Sequence, residues 1–174
     1  MNLNLQSSDF ELFGLPERFA QERAAIDARW KALQGEAHPD KFAAQGPAAQ
    51  RVAMQWSVRI NEAYRRLKDP LRRAAYLCEL RGAPIDAENN TAMPAQFLVE
   101  QMEWREALDD AQGKAELDAL DGQLSQARYQ ALQGIGKLLD EQDAAAAAAQ
   151  QVRALMFIER FGRDVQARLE QLGQ

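Results

Sequence analysis

His38-Pro39-Asp40-Lys41-Phe42 decides how this chain folds, because helical periodicity stops there and resumes beyond it. Upstream, within Pro16 to Ala37, the apolar residues Ile26, Trp30, Leu33 and Ala37 recur at helical intervals and form one face of a helix. Downstream, from Ala48 to Leu67, the set Ala53, Trp56, Ile60, Ala63, Tyr64 and Leu67 does the same. Pro39 fixes its own φ, lacks an amide donor and disfavours helical backbone at the residue before it, so the first helix must stop at about His38. Gly46-Pro47 close the loop, and Pro47 suits a first helical position. Two such helices pack as an antiparallel pair, each burying its stripe against the other. The turn between them holds an imidazole and a carboxylate outward on a stiff frame. Such a frame suits recognition, because docking freezes little extra motion. The plainer alternative is a helix stop with a solvated histidine.

Beyond this hairpin, Asp69-Pro70 breaks or bends the second helix, and a short helical piece from Leu71 to Leu80 follows. Arg81-Gly82-Ala83-Pro84 reads as a linker. A second unit starts near Asn89. Pro94 opens a helix running to about Asp110, and Gly113 ends the turn after it. From Lys114 to about Gln142, Leu117, Leu120, Leu124, Ala127, Ala131, Ile135 and Leu138 form a heptad-like stripe. Gly122, Gly134 and Gly136 each cost about 1 kcal/mol relative to alanine and predict local softness there. The last helix runs from about Ala144 to Leu172, with Ile158, Phe161, Val165, Leu169 and Leu172 as its core face and Phe157 pointing off it. Strand signals are missing, so the fold class is all-α, and three long amphipathic helices with short turns make a bundle.

Composition narrows the function. Cys78 is the single cysteine and His38 the single histidine, so no intramolecular disulfide and no zinc site of four cysteine or histidine ligands is available. Cys78, in Tyr76-Leu77-Cys78, reads as a small buried hydrophobe. No apolar stretch spans a bilayer, and Met1-Asn2-Leu3-Asn4 is not a secretion signal, which predicts a cytoplasmic protein without membrane partners. Residues 1–75 hold 12 Lys and Arg against 9 Asp and Glu, and residues 76–174 hold 9 against 17. The halves therefore carry +3 and −8, by chance or because each meets a different partner. The net charge of −5 and the lack of a basic stripe argue against nucleic acid. An enzyme using His38 and Asp40 as an acid–base pair would lack a second histidine, a nucleophile constellation, a phosphate loop and metal ligands.

His38-Pro39-Asp40-Lys41-Phe42 resembles the J-domain family, together with Leu12-Phe13-Gly14-Leu15-Pro16 and Ile60-Asn61-Glu62-Ala63-Tyr64-Arg65-Arg66-Leu67-Lys68-Asp69-Pro70. The resemblance implies that this turn and the basic residues of the preceding helix engage a DnaK-type chaperone and trigger its ATP hydrolysis, without being catalytic themselves. By position that role falls on His38, Pro39 and Asp40, and more weakly on Arg23, Arg29, Lys31 and Lys41. The stretch Gln34-Gly35-Glu36-Ala37 departs from the family pattern. Gly35 loosens the end of the helix, and Glu36 either weakens attraction to an acidic partner or points elsewhere.

In the second unit, stepping about 100° per residue from Phe97 keeps Trp104 and Leu108 within about 20° of it, the expected core stripe. Leu98, Met102 and Val99 fall about 100–200° round, edged by Glu103, Glu106 and Asp110. A surface helix needs one apolar stripe. A surplus strip with an acidic border is either a binding patch or a second packing face. Phe97-Leu98-Val99-Glu100-Gln101-Met102-Glu103-Trp104-Arg105-Glu106 resembles the segment that opens the C-terminal bundle of HscB proteins, the J-domain co-chaperones of iron–sulfur cluster biogenesis. With Tyr76-Leu77 and Leu80-Arg81-Gly82 between the units, the resemblance covers nearly the whole chain. It implies a J-domain at 1–81, a linker at 82–89 and a three-helix scaffold-binding bundle at 90–174. It implies that Leu98, Val99, Met102 and Phe157, with Glu103, Glu106 and Asp110, bind the scaffold IscU while the J-domain engages the chaperone HscA. Val99 stands where a methionine is frequent. No cofactor is expected, since Cys78 alone cannot hold a cluster. A J-protein serving a general DnaK chaperone and another client is the alternative, and binding of IscU by the strip separates the two.

Overall fold

The computed structural model describes residues 3–173, and among them every regular element is helical. The chain divides into two compact units, Met1–Leu77 and Cys78–Gln174.

The first unit is built on α1 (Asp9–Phe13), α2 (Arg23–Ala37), α3 (Pro47–Lys68) and the start of α4 (Pro70–Leu80). Ser8 and Glu11 form a capping box at the start of α1, and Gly14 ends it at φ 64°, a left-handed conformation suited to glycine. α2 and α3 pack antiparallel. Trp30 stacks on Tyr64 at 4.7 Å and donates from its indole nitrogen to Asn61 Oδ1 at 2.9 Å, while Ser57 donates to Gln34 at 3.1 Å. Ile26, Ala53, Ile60, Ala63 and Leu67 fill the space between them. Helix α2 begins only at Arg23, later than the stripe starting at Pro16 suggests. Residues 16–22 are held irregular by tertiary contacts. Gln21 donates to the Pro16 carbonyl at 2.7 Å, and buried Arg73 donates to the Phe19 carbonyl at 2.8 Å with its guanidinium over the Phe19 ring. Gly35 does not shorten the helix, which runs on to Ala37. Asp69 ends α3, and its side chain accepts from the Leu71 amide at 3.1 Å, so the break at Asp69-Pro70 also starts α4.

Buried Asp9 organises the N-terminal segment. Its carboxylate accepts from Arg59 at 2.8 Å and from Arg66 at 2.7 and 2.9 Å, and Arg66 lies over the Tyr76 ring. Arg59 also donates to the carbonyls of Leu5 and Ser7. The carboxylate holds the Arg66 guanidinium well above its ordinary pKa. A buried charge is tolerated when it is paired and hydrogen-bonded, and both oxygens of the Asp9 carboxylate are, although Arg59 Nη1 is buried without a partner among the described residues.

The second unit contains α5 (Ala95–Asp110), α6 (Lys114–Gly136) and α7 (Ala145–Leu172). The stripe Leu117, Leu120, Leu124, Ala131 and Ile135 is buried as its spacing demands. The stripe then changes register. Residues Lys137–Glu141 form a π turn just past Gly134 and Gly136, and Leu139 takes the buried place that strict heptad spacing gives to Leu138. In the first half of α7, burial extends round most of the helix, through Ala148, Ala149, Val152, Arg153, Ala154, Leu155, Phe157 and Ile158. Arg153 is buried because its guanidinium donates to the carbonyls of Ile85 and Ala92, each at 3.0 Å, pinning the segment before α5. Cys78 is fully buried, and desolvation pushes its thiol up to about 11.

Candidate functional site

The turn of the first unit is rigid by construction. His38 ends α2 with extended backbone, and Pro39–Gln45 follow as a 3₁₀ segment whose first position is Pro39. His38 Nδ1 accepts from the Asp40 amide at 3.2 Å. The neutral ring therefore carries its proton on Nε2, which faces away from that bond. The same Nδ1 lies 3.7 Å from Asp40 Oδ2, too far for a hydrogen bond and already occupied as an acceptor, so in this form the pair is not an ion pair. Asp40 has no other anchor among the described residues and is 92% exposed, leaving its carboxylate open to a partner. Beneath the turn, half-buried Phe42 reaches into an apolar groove of about 520 Å³ lined by Leu33, Ala37, Val52, Ala53 and Trp56. Glu36 lies on the rim of that groove.

The basic residues expected beside the turn do not form one patch. Arg23 and Lys31 share a side of α2, and Arg23 pairs with Asp27 at 3.0 Å. Tyr64, which donates to Asp27 at 2.8 Å, and then Arg23 hold the Asp27 carboxyl below its ordinary range. Arg29 points to the other edge of the apolar stripe, where its Nε donates to the Phe13 carbonyl at 2.8 Å. Its partial commitment to α1 makes it as much a structural clamp as a surface charge. Lys31 and Lys41 are exposed.

On α5, Phe97 and Trp104 face the bundle and Leu108 is half-buried. Leu98, Val99 and Met102 lie on the far side, all at least half exposed, and Met102 at 65% is the most exposed large apolar side chain described. Glu103, Glu106 and Asp110 are exposed beside them. Asp109 is also exposed, and helical stepping puts it in line with Leu98 and Met102. That signal was in the periodicity, although Asp109 was not among the expected residues. None of these four carboxylates is ion-paired among the described residues. Two of them sit in the last turn of α5, at the negative end of the helix dipole, where they cost stability.

Phe157 is not where the sequence suggested. It is 5% exposed, edge-on to Phe97 at 5.8 Å and stacked on Phe161 at 5.7 Å, with Arg105 and Arg160 over its ring. A single-stripe reading of α7 fails because the helix packs on two sides, against α6 and against the core residues of α5. Phe157 therefore supports α5 from beneath. At the other end Leu172 is exposed and Leu169 only half-buried, because α7 extends past its neighbours.

A family model described as the HSCB C-terminal oligomerisation domain matches residues 93–166, which contain the exposed strip. A co-chaperone protein HscB homolog from Burkholderia multivorans is 52% identical over 173 residues, covering 98% of both chains. This chain belongs to the HscB family of co-chaperones. The solved chaperone HscB from Vibrio cholerae agrees, with a TM-score of 0.80 and 36% identity over 95% of this chain and 99% of that one. Human co-chaperone HscB has the same fold, with a TM-score of 0.84 at 24% identity over 95% of this chain and 84% of that one. The architecture is thus an N-terminal J-domain hairpin and a C-terminal three-helix bundle, that of the HscB co-chaperones. No described helix is long and apolar enough to cross a membrane, and no described cluster of side chains could hold a metal.

Proposed function

We propose that this HscB-family protein holds the iron–sulfur scaffold IscU on its bundle and presents it to the DnaK-like chaperone HscA, whose ATPase it stimulates. One observation carries the proposal. Leu98, Val99 and Met102 are exposed on a helix that already buries a full core stripe, and unpaired carboxylates lie beside them. Folding needs neither feature. An apolar centre rimmed by one sign of charge suits a partner with an apolar patch and basic neighbours. The His-Pro-Asp turn supports the second half of the proposal. Its backbone is fixed by Pro39 and by the His38–Asp40 bond, while the Asp40 carboxylate and His38 Nε2 are open to a partner.

Holding both partners on one chain raises the scaffold's effective concentration at the chaperone. In this mechanism Leu98, Val99 and Met102 supply apolar contact, Glu103, Glu106, Asp109 and Asp110 steer and orient, and His38, Pro39, Asp40 and Lys41 act on the chaperone. Arg23, Arg29 and Lys31 contribute long-range attraction. Phe157 positions α5 and does not touch the scaffold.

The test is single-turnover ATP hydrolysis by HscA with and without IscU. Wild type should stimulate, and Asp40→Asn should abolish stimulation while leaving stability within about 0.5 kcal/mol, as expected for so exposed a side chain. Leu98→Ala with Met102→Ala should remove only the IscU-dependent part. Stimulation indifferent to IscU and to the alanine pair would leave a J-protein serving a general DnaK chaperone and another client.

A further inference from the structure

The exposed strip of α5 has a sulfur atom at its centre. Met102 is 65% exposed, against 53% for Met54 and 37% for Met156. Met93 is half-buried, and its sulfur accepts from the Gln101 side-chain amide at 3.1 Å. Cys78 is fully buried and its thiol is held neutral, whereas a cysteine reacts with oxidants as an exposed thiolate. Among the described residues, the Met102 thioether is therefore the sulfur most open to an oxidant in solution.

We propose that Met102 is an oxidation site, and that its conversion to the sulfoxide by hydrogen peroxide switches off scaffold docking; the switch rests on the scaffold reading of the α5 strip. A lone pair of the thioether sulfur attacks one peroxide oxygen, so that the S–O bond forms as the O–O bond breaks. The departing hydroxide takes the proton from the new S–O–H group, which leaves the sulfoxide and one water. Sulfur gives up two electrons and the peroxide accepts them. A thiol-dependent sulfoxide reductase reverses the step, returning the thioether and water while two thiols are oxidised to a disulfide.

The surroundings of Met102 make the added oxygen costly to dock. A thioether is apolar and adaptable, and it continues the surface of Leu98 and Val99. The sulfoxide oxygen is a hydrogen-bond acceptor set in the middle of that surface. Its exposed neighbours Glu103, Glu106 and Asp109 are acceptors themselves when ionised. Arg105, the one donor a turn away on α5, holds its guanidinium over the Phe157 ring at 5.4 Å. In the free protein water satisfies the oxygen. Docking against an apolar surface strips that water with no donor held ready on α5, a penalty that weakens binding about five- to hundredfold. The bundle itself is indifferent, because the side chain is on the surface. A bound scaffold covers Met102 and protects it, so the switch acts on the free co-chaperone.

Titration of IscU into the full chain, after hydrogen peroxide treatment and removal of the peroxide, tests the proposal. Untreated wild type and untreated Met102→Leu should bind alike, because leucine keeps the apolar contact. Treatment should weaken wild type about five- to hundredfold, leave Met102→Leu unchanged, and weaken Met54→Leu as much as wild type. A methionine sulfoxide reductase should restore the treated wild type. Peptide mass mapping should find Met102 oxidised ahead of Met54, Met93 and Met156, and spared when IscU is bound, while the melting curve stays where it was. The proposal is overturned if wild type with Met102 oxidised keeps its affinity, if treated Met102→Leu weakens equally, or if another of these methionines oxidises first. Untreated wild type that ignores IscU refutes the scaffold reading and the switch with it. Untreated binding that does not respond to oxidation of Met102 refutes the switch alone.

Discussion

Replacing Phe157 by alanine should unfold the second unit more readily than it disturbs any surface. The ring is 5% exposed and packs on Phe97 and Phe161, with two guanidinium groups above it. Truncating a buried phenylalanine costs about 3–5 kcal/mol, from lost transfer free energy and the cavity left behind. Its ring pairs, worth about 0.5–1.5 kcal/mol each, put this site toward the upper end. For a unit of this size each kcal/mol moves the midpoint by about 4–8 °C, so Phe157→Ala should lower the Tm of the second unit by about 15–40 °C. Phe157→Leu keeps most of the volume but loses both ring pairs, so it should cost about 1–3 kcal/mol, less than the alanine. By contrast, Leu98→Ala with Met102→Ala, both on the surface, should leave the midpoint nearly unchanged while weakening scaffold binding. Scanning calorimetry with urea denaturation gives the stabilities, and titration with IscU gives the affinities. Should Phe157→Ala keep wild-type stability and still lose IscU, the ring would be a direct contact, and the two-sided packing of α7 would be the wrong account of it.

Asp9→Asn should destabilise the first unit by about 3–5 kcal/mol in urea denaturation, because it leaves Arg59 and Arg66 beside a neutral group in a buried site; a loss below about 1 kcal/mol would show that solvent already screens the cluster. Burial holds the Cys78 thiol neutral, up to about 11 from an ordinary value near 9. The unfolded chain therefore releases that proton first, and stability is lost as pH rises from about 9 to 11, by up to about 2–3 kcal/mol from this group. Cys78→Ala should show a smaller loss than wild type across that window, and parallel curves would refute the linkage. A Cβ built on Gly122, inside α6, meets nothing within 4 Å. Gly122→Ala should therefore raise stability by about 0.5–1 kcal/mol through helix propensity, and a lower Tm would mean the site is tighter than it looks.

Much of the molecule was legible from local signals. Proline and glycine fixed the breaks at Pro39, Gly46-Pro47, Asp69-Pro70 and Gly113, and the helices between them follow the apolar spacing. The exposed strip on α5 was visible as a surplus over the one stripe a surface helix requires, and the same stepping places Asp109 within it. The early start given to α2 has an identifiable cause. Residues 16–22 obey no helical rule because Arg73, more than fifty positions away, holds the Phe19 carbonyl.

The sequence by itself determined the long helices and their breaks, the rigid turn at His38-Pro39-Asp40 and the kinship with HscB, since all three rest on residues close together in the chain or on their order; it did not show the short helix Asp9–Phe13 or the π turn at Lys137–Glu141. Only the tertiary structure decided that Phe157 is buried, that Leu139 replaces Leu138 in the core, that Arg29 turns away from Arg23 and Lys31, and that Asp9 gathers two arginines. Periodicity within one helix reports how many faces are apolar. It does not report how many neighbours that helix has, and burial depends on the neighbours.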